Sequence, residues 1–412
     1  MRASAGHTKA SWEKSRVDDR CTYLILVLII LCGLAIAAYF YSGPYYSFDD
    51  GQYISYARQM MLGNFSITEH PSAFGYLMPS LVAVSFLSFG ISPVTAILPN
   101  VIEYAMIIAI AFFIGRKLFG RKAGLLASFL VVTAPFVFSY ATRVLPDMLL
   151  GVIYGAALYV IFIGIRDDKR KQRMFLASGL IFGLTIFVKL GGFGLGLGLP
   201  IAVLLFDRRS FPAFAVGLTL SLLVYASTFY ILSGGNIGAL SEYSSQQIAN
   251  NPGENLFLNF VTMLDVIMGP ILIYQVYPLG FILFLAFIGT YLAFKRKEKP
   301  LMYASVGFWF TFLYLFFGTE SLSQYAFIDV VNRYFILVSI PLVLLAAYVL
   351  LDIYKISAKL KGKKAAYLVI AVLITLIILS NIPAYCAAYD YKLYILQTQV
   401  PPAWMCQTAS CR

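Results

Sequence analysis

The chain of 412 residues is 60% hydrophobic and only 12% charged, with a mean hydropathy of +0.81, far outside the averages of soluble globular domains. A net charge of +12 would suit a nucleic-acid binder, but the basic residues fall in short clusters between apolar runs, with no basic stripe and no aromatic platform, so that class is excluded.

Helices and closed barrels are the two ways to satisfy backbone polar groups in lipid, and apolar runs without period-two alternation select helices. The expectation is an all-α polytopic membrane protein with about 11 transmembrane helices. A basic leader over residues 1–21, longer than a signal-peptide n-region and read as uncleaved, precedes a first span at about 22–41. An outer loop over 42–94 follows, and it holds two helical stretches, "YYSFDDGQYISYARQMML" and "SAFGYLMPSLVAVSFLSFG". Further spans fall at about 95–115, 122–141, 147–165, 174–189, 190–206 and 211–233. A polar, aromatic outer loop over 234–265 leads to spans at about 267–293, 301–318, 333–353 and 365–385, and then to an outer tail over 386–412. One membrane domain, 22–385, carries everything between leader and tail.

Placing the N-terminus in the cytoplasm puts 25 of the 31 Lys and Arg residues on one side, leaving Arg58, Arg143, Lys189, Arg333, Lys392 and Arg412. The stretch 72–90 cannot be a full crossing without breaking that bias, so it is read as a helix lying in or dipping into the outer interface. The sequon Asn64-Phe65-Ser66 agrees with that side being outside. The five cysteines show no CxxC or zinc spacing; Cys406 and Cys411 in the tail are either one disulfide or two free thiols.

Candidate chemistry gathers at the outer ends of the spans. "SFDD" starts a helix with Ser47 as cap and Asp49 and Asp50 in the first turn, where the dipole favours acids. Two adjacent carboxylates at a membrane edge also suit a general base for an acceptor hydroxyl, or ligands for a divalent ion. In "SYATRVLPDMLLG", Arg143 and Asp147 read either as a surface ion pair or as site residues. Lys189 and Arg333 stand at helix ends, where a lone cation can snorkel to headgroups, whereas several outer cations beside outer acids suit a phosphate-bearing, lipid-linked ligand. Glu103 is a midspan acid, and pairing with a polar residue of another helix is its bland reading. The glycines at 191, 192, 194, 196 and 198 follow no strand and suit close helix packing rather than nucleotide binding.

In order, "DDGQY" after the first span, "EHPSAFGYL" before an interfacial helix, "RKLFG" at an inner turn, "R...PD" before the fourth span and "RYFILVSIPLVLL" late in the chain resemble the GT-C superfamily of membrane glycosyltransferases. The specific resemblance is to the protein O-mannosyltransferase and aminoarabinose-transferase-like branch, and it covers about residues 20–355. The chain departs from the family's usual "PP" with Pro71-Ser72 and from its usual Asp-Glu pair with Asp49-Asp50. It also lacks a large soluble outer domain, which argues against an oligosaccharyltransferase.

The resemblance implies transfer of a sugar from a polyprenyl- or dolichyl-phosphate donor to a lipid, glycan or protein acceptor on the outer side, with inversion. It implies Asp49 as base with Asp50 beside it, Asp147 as the second acid, and Arg143, Lys189 and Arg333 as cations for the donor phosphate. Tyr53, Arg58, His70 and Tyr334, in or beside these motifs, are substrate-site candidates. No cofactor is certain; a divalent metal on Asp50 and Asp147 stays open. The setting is a cell membrane or endomembrane, with the active site and C-terminus on the outer face. A secondary transporter or flippase of a lipid-linked solute is the main competing class, and it would place unusual charges at the membrane midplane. An assembly subunit without catalysis is a third.

Overall fold

The computed structural model describes residues 9–41, 48–67, 75–236, 238, 263, 279–318, 332–382 and 385–386, and every regular element among them is helical. In chain order these are α1 (Lys9–Tyr39), α2 (Phe48–Met61), α3 (Leu77–Phe89), α4 (Pro93–Phe119), α5 (Arg121–Val132), α6 (Pro135–Phe138), α7 (Asp147–Arg166) and α8 (Lys171–Gly183). There follow α9 (Thr185–Val188), α10 (Leu190–Leu195), α11 (Gly198–Phe206), α12 (Phe211–Leu232), α13 (Gly280–Lys295), α14 (Lys299–Phe317), a 3₁₀ turn (Asn332–Ile336) and α15 (Ser339–Ser380).

Among the described residues seven helical segments are long and apolar enough to cross a membrane, so the chain is a multi-pass membrane protein: Asp19–Tyr39, Pro93–Phe119, Asp147–Arg166, Lys171–Val188, Phe211–Leu232, Lys299–Phe317 and Ser339–Ser380. The last merges two expected spans. Its backbone leaves helical geometry at Gly362, at φ +83°, so the basic segment expected as a loop is helix broken at one left-handed residue. Two other expected spans are broken: 122–141 divides into α5 and α6, and 190–206 into α10 and α11; of the span expected at 267–293, residues before Leu279 lie outside the described residues, and the rest forms α13 from Gly280. The leader does not stand apart from the first span, because α1 already runs from Lys9.

The start of α15, from Ser339 to Leu350, is buried throughout, and α7 is mostly buried beside it. Phe112, Phe136, Phe162, Phe308 and Phe312 fill the space around these two helices. α1 and α12 form rims with Leu24, Leu28, Leu223 and Val224 exposed, as lipid-facing surfaces require. Of the glycines at 191–198, four meet neighbours so closely that a Cβ would intrude, at Leu150, Tyr314, Phe182 and Gly307, while Gly191 faces open space.

The stretch expected as an interfacial helix forms α3. Its 13 residues rise about 20 Å, too short for a hydrocarbon core of about 30 Å. It packs with α2 over the start of α4 through Tyr53, Ile54, Ala57, Met78, Val82, Phe86 and Ile97. Ile54, Met78, Val82 and Phe86, each fully buried, contribute about 1.5–3 kcal/mol apiece, so these short helices are held as a firm lobe on one end of the bundle. α4 itself starts at Ser92, whose hydroxyl accepts the Thr95 amide while Thr95 answers back to the Ser92 amide.

Candidate active site

α2 opens with Phe48-Asp49-Asp50, both acids in its first turn, but the two carboxylates turn to different partners. Asp49 stays partly exposed and takes Arg333 Nη1 at 2.7 Å. Asp50 is fully buried; its Oδ2 accepts from Arg143 Nη2 at 2.9 Å and its Oδ1 from the Val144 backbone amide at 2.8 Å. The proposed cap, Ser47, lies outside the described residues, as does His70.

Asp147 begins α7 and is 2% exposed. Its Oδ2 lies 3.7 Å from Arg333 Nε, and among the described residues neither of its oxygens has a hydrogen-bond partner. Arg333 therefore stands between two acids. Its own placement follows from the 3₁₀ turn, which packs on α7 where Gly151 sits 3.1 Å, by a Cβ built on it, from the Ile336 carbonyl. Arg333 and Tyr334 were expected to open a span; instead they occupy this turn, ahead of the helix that starts at Ser339. Burial opposes the Arg333 charge, but Asp147, Tyr334 and Asp49 outweigh it and raise its pKa above the ordinary value.

Lys189 lies in extended conformation between α9 and α10, at φ −162° and ψ 127°. Its Nζ donates to the Tyr334 hydroxyl at 3.1 Å and sits 4.2 Å from that ring's centre. The chain before α3 presses on this break: a Cβ at Gly75 would lie 2.1 Å from the Val188 carbonyl. Tyr53, one turn along α2 from Asp49, is buried among the same charges. Burial raises its pKa, Lys189 pulls it down, and Asp147 and Asp49 push it up, so the phenol stays protonated at neutral pH.

The structure thus gathers Asp49, Asp147, Arg333, Lys189, Tyr334 and Tyr53. Asp50 and Arg143 stand beside that group, paired with each other and, through Asp50, with the Val144 amide. The surface Arg143–Asp147 pair is corrected likewise: Arg143 faces Asp50, Asp147 faces Arg333, and both residues are buried. Arg58 closes the last turn of α2, about 13 Å along the helix axis from Asp49. A divalent metal on Asp50 and Asp147 fits poorly, since both Asp50 oxygens already accept hydrogen bonds and Asp147 adjoins a guanidinium. Among the described residues no group of three or more His, Cys, Asp or Glu side chains is placed to hold a metal.

Asn100, overlooked in the sequence, donates from Nδ2 to the Leu145 carbonyl at 2.7 Å and ties α4 to the segment carrying Arg143. A polar residue inside an apolar run was the available signal. Glu103, one turn further along α4, has no hydrogen-bond partner on either oxygen, so the cross-helix pairing expected for it is not formed among the described residues.

Residues 69–231 match the family model described as dolichyl-phosphate-mannose-protein mannosyltransferase, a stretch that includes Arg143, Asp147 and Lys189. The whole architecture is similar to ArnT from Cupriavidus metallidurans, in the apo state with a TM-score of 0.60 and bound to undecaprenyl phosphate with 0.62, each at 17% identity over 91% of this chain and 76% of that one. The Archaeoglobus fulgidus oligosaccharyltransferase AglB, in complex with an inhibitory peptide and a dolichol-phosphate, is similar at 15% identity and a TM-score of 0.57, over 92% of this chain and 56% of that one. No curated protein matches the chain by sequence. At such identities what is shared is the fold, and it is the fold of the GT-C membrane glycosyltransferases.

Proposed function

We propose that the chain moves a sugar from a polyprenyl- or dolichyl-phosphate donor to an acceptor on the extracytoplasmic side, with inversion. The observation that carries the reading is Arg333 held between Asp49 and Asp147 with Lys189 joined to the same site through Tyr334. Solved proteins of this fold hold undecaprenyl phosphate and dolichol-phosphate, which supports a lipid phosphate as the group that Lys189 and Arg333 meet. The concentration of 25 of 31 basic residues in segments at the other end of the bundle supports eleven crossings, a cytoplasmic N-terminus and an outer active site.

In this reading the donor phosphate competes with Asp49 for Arg333 and leaves a carboxylate oxygen free. The acceptor hydroxyl attacks the anomeric carbon from the face opposite the phosphate, and its proton passes to Asp49. The bond from that carbon to the phosphate oxygen breaks, the electron pair leaves with the phosphate, and Lys189 and Arg333 stabilise the growing charge. Tyr334 keeps Lys189 aimed, and Tyr53, held protonated, is a hydrogen-bond donor for donor or leaving group. No step requires a metal. Acceptor choice falls to the loops around 65–94 and 234–265.

The test is sugar transfer by purified protein in lipid with a panel of labelled polyprenyl-phosphate sugars, wild type beside Asp49→Asn. Loss of a general base predicts a fall in turnover of about 10²- to 10⁴-fold with donor binding kept. Labelled donor crossing vesicles without being consumed would replace transfer by transport.

A further inference from the structure

One buried charge pair has no part in the transfer step. Asp50 and Arg143, 93 residues apart in the chain, meet where the outer lobe joins the bundle, with side chains 0% and 10% exposed. Both Asp50 oxygens grip one short segment, through Arg143 and the Val144 amide. The same segment is held from α4 by Asn100 on the Leu145 carbonyl, and the Tyr140 ring lies 5.1 Å from the Arg143 guanidinium. Val144 and Leu145 are buried against Tyr53, Ile54 and Ala57 of α2.

The chain neighbours of this clamp are the two acids that flank Arg333. Asp49 precedes Asp50, and Asp147 follows the gripped segment after Pro146. We infer that Asp50 and Arg143 are positioning residues which fix the separation between Asp49 and Asp147, and so the angle at which the base meets the acceptor. The inference rests on the transfer reading for its kinetic meaning. It differs from what the family resemblance implies, because Arg143 then holds no phosphate and Asp50 moves no proton.

Loss of either partner removes a buried, charge-assisted contact between the first turn of α2 and this segment, and the first turn of α2 is then free to shift. Misplacing a reacting group by about 1 Å costs about 10²-fold in rate. Binding of the donor phosphate, which falls to Lys189 and Arg333, should persist.

The experiment compares Asp50→Asn, Arg143→Met, Arg143→Lys and the double variant Asp50→Asn/Arg143→Met for kcat, donor KM and binding of bare undecaprenyl phosphate, with thermal unfolding as the check on folding. The expected result is a kcat loss of about 10²-fold in each uncharged single variant, with donor KM and phosphate binding within about threefold of wild type. The double variant should lose no more than the worse single one, as for residues acting as a unit, and Arg143→Lys should recover at least about tenfold. Weaker binding of undecaprenyl phosphate to Arg143→Met alone, or additive losses in the double variant, would overturn the inference. If wild type consumes no donor, the transfer reading fails separately. The clamp is then judged from a structure of Asp50→Asn: a displaced first turn of α2 with the Asp49–Arg333 ion pair broken sustains it, and an unmoved α2 ends it.

Discussion

Two ends of the bundle each gather three stretches of chain around one charge, and they finish the job differently. At the basic end, Asp207 takes Lys171 at 2.8 Å and Lys299 at 2.9 Å on one oxygen, and the Ser210 hydroxyl at 3.2 Å on the other. At the other end, Arg333 takes Asp49 at 2.7 Å but stands 3.7 Å from Asp147, whose two oxygens remain without hydrogen bonds among the described residues. The first cluster is complete as it stands and ties α8, the turn before α12 and α14 together. The second leaves a buried acid without a hydrogen bond among the described residues. Closed polar networks rigidify a fold, and partly satisfied ones mark places where a ligand has yet to contribute.

If that contrast is sound, the largest effect belongs to the open cluster. Arg333→Lys, which keeps a positive charge beside the buried Asp147 but loses the guanidinium donors, should lower kcat/KM about 10²- to 10³-fold, the cost of removing a donor aimed at transition-state charge, with little change in thermal stability. A variant that unfolds instead would put Arg333 on the same footing as the Asp207 cluster. Asp207→Asn should do the opposite, leaving kcat/KM unchanged while costing about 2 kcal/mol of stability, the scale of hydrogen bonds to a charged group.

The same carboxylate supplies a pH test. Burial opposes the Asp207 charge, but the hydrogen bonds from Lys171 and Lys299 outweigh it and carry its pKa below the ordinary 3.8. Its contribution is therefore fully present above pH 3.8 and is lost as pH falls through the lower folded value. Wild type and Asp207→Asn should differ by a constant amount at neutral pH and converge on acidification, as measured by unfolding across that range. The smallest effect is expected for Lys299→Met: its side chain is 40% exposed and Lys171 remains, so about 0.5 kcal/mol or less should be lost.

Much of the Arg333 cluster was legible in the sequence because charge is rare there. Lys189 and Arg333 stood out by sitting on the wrong side of the basic bias, and Asp49 and Asp147 by standing at the ends of apolar runs. What the sequence hid is who pairs with whom. Asp49 and Asp50 are neighbours with the same chemistry, and only the side of the helical turn each occupies sends one to Arg333 and the other to Arg143. The Asp207 cluster was hidden for a related reason: Lys171 and Lys299 belong to basic segments whose count set the topology, and nothing local distinguishes them from Lys169 or Lys297. The helix break expected at 189/190 is present at Lys189, whereas the loop expected after residue 353 is instead helix broken at Gly362, where backbone and not hydropathy decides.

The close approach at Gly75 extends the site to a residue without a functional group. Any side chain there must push the Val188 carbonyl away, and Lys189 is the next residue along. In a survey of all single substitutions, position 75 should thus rank with the charged positions in intolerance, although it contributes neither proton nor charge. The boundary of this site is drawn by volume as much as by chemistry.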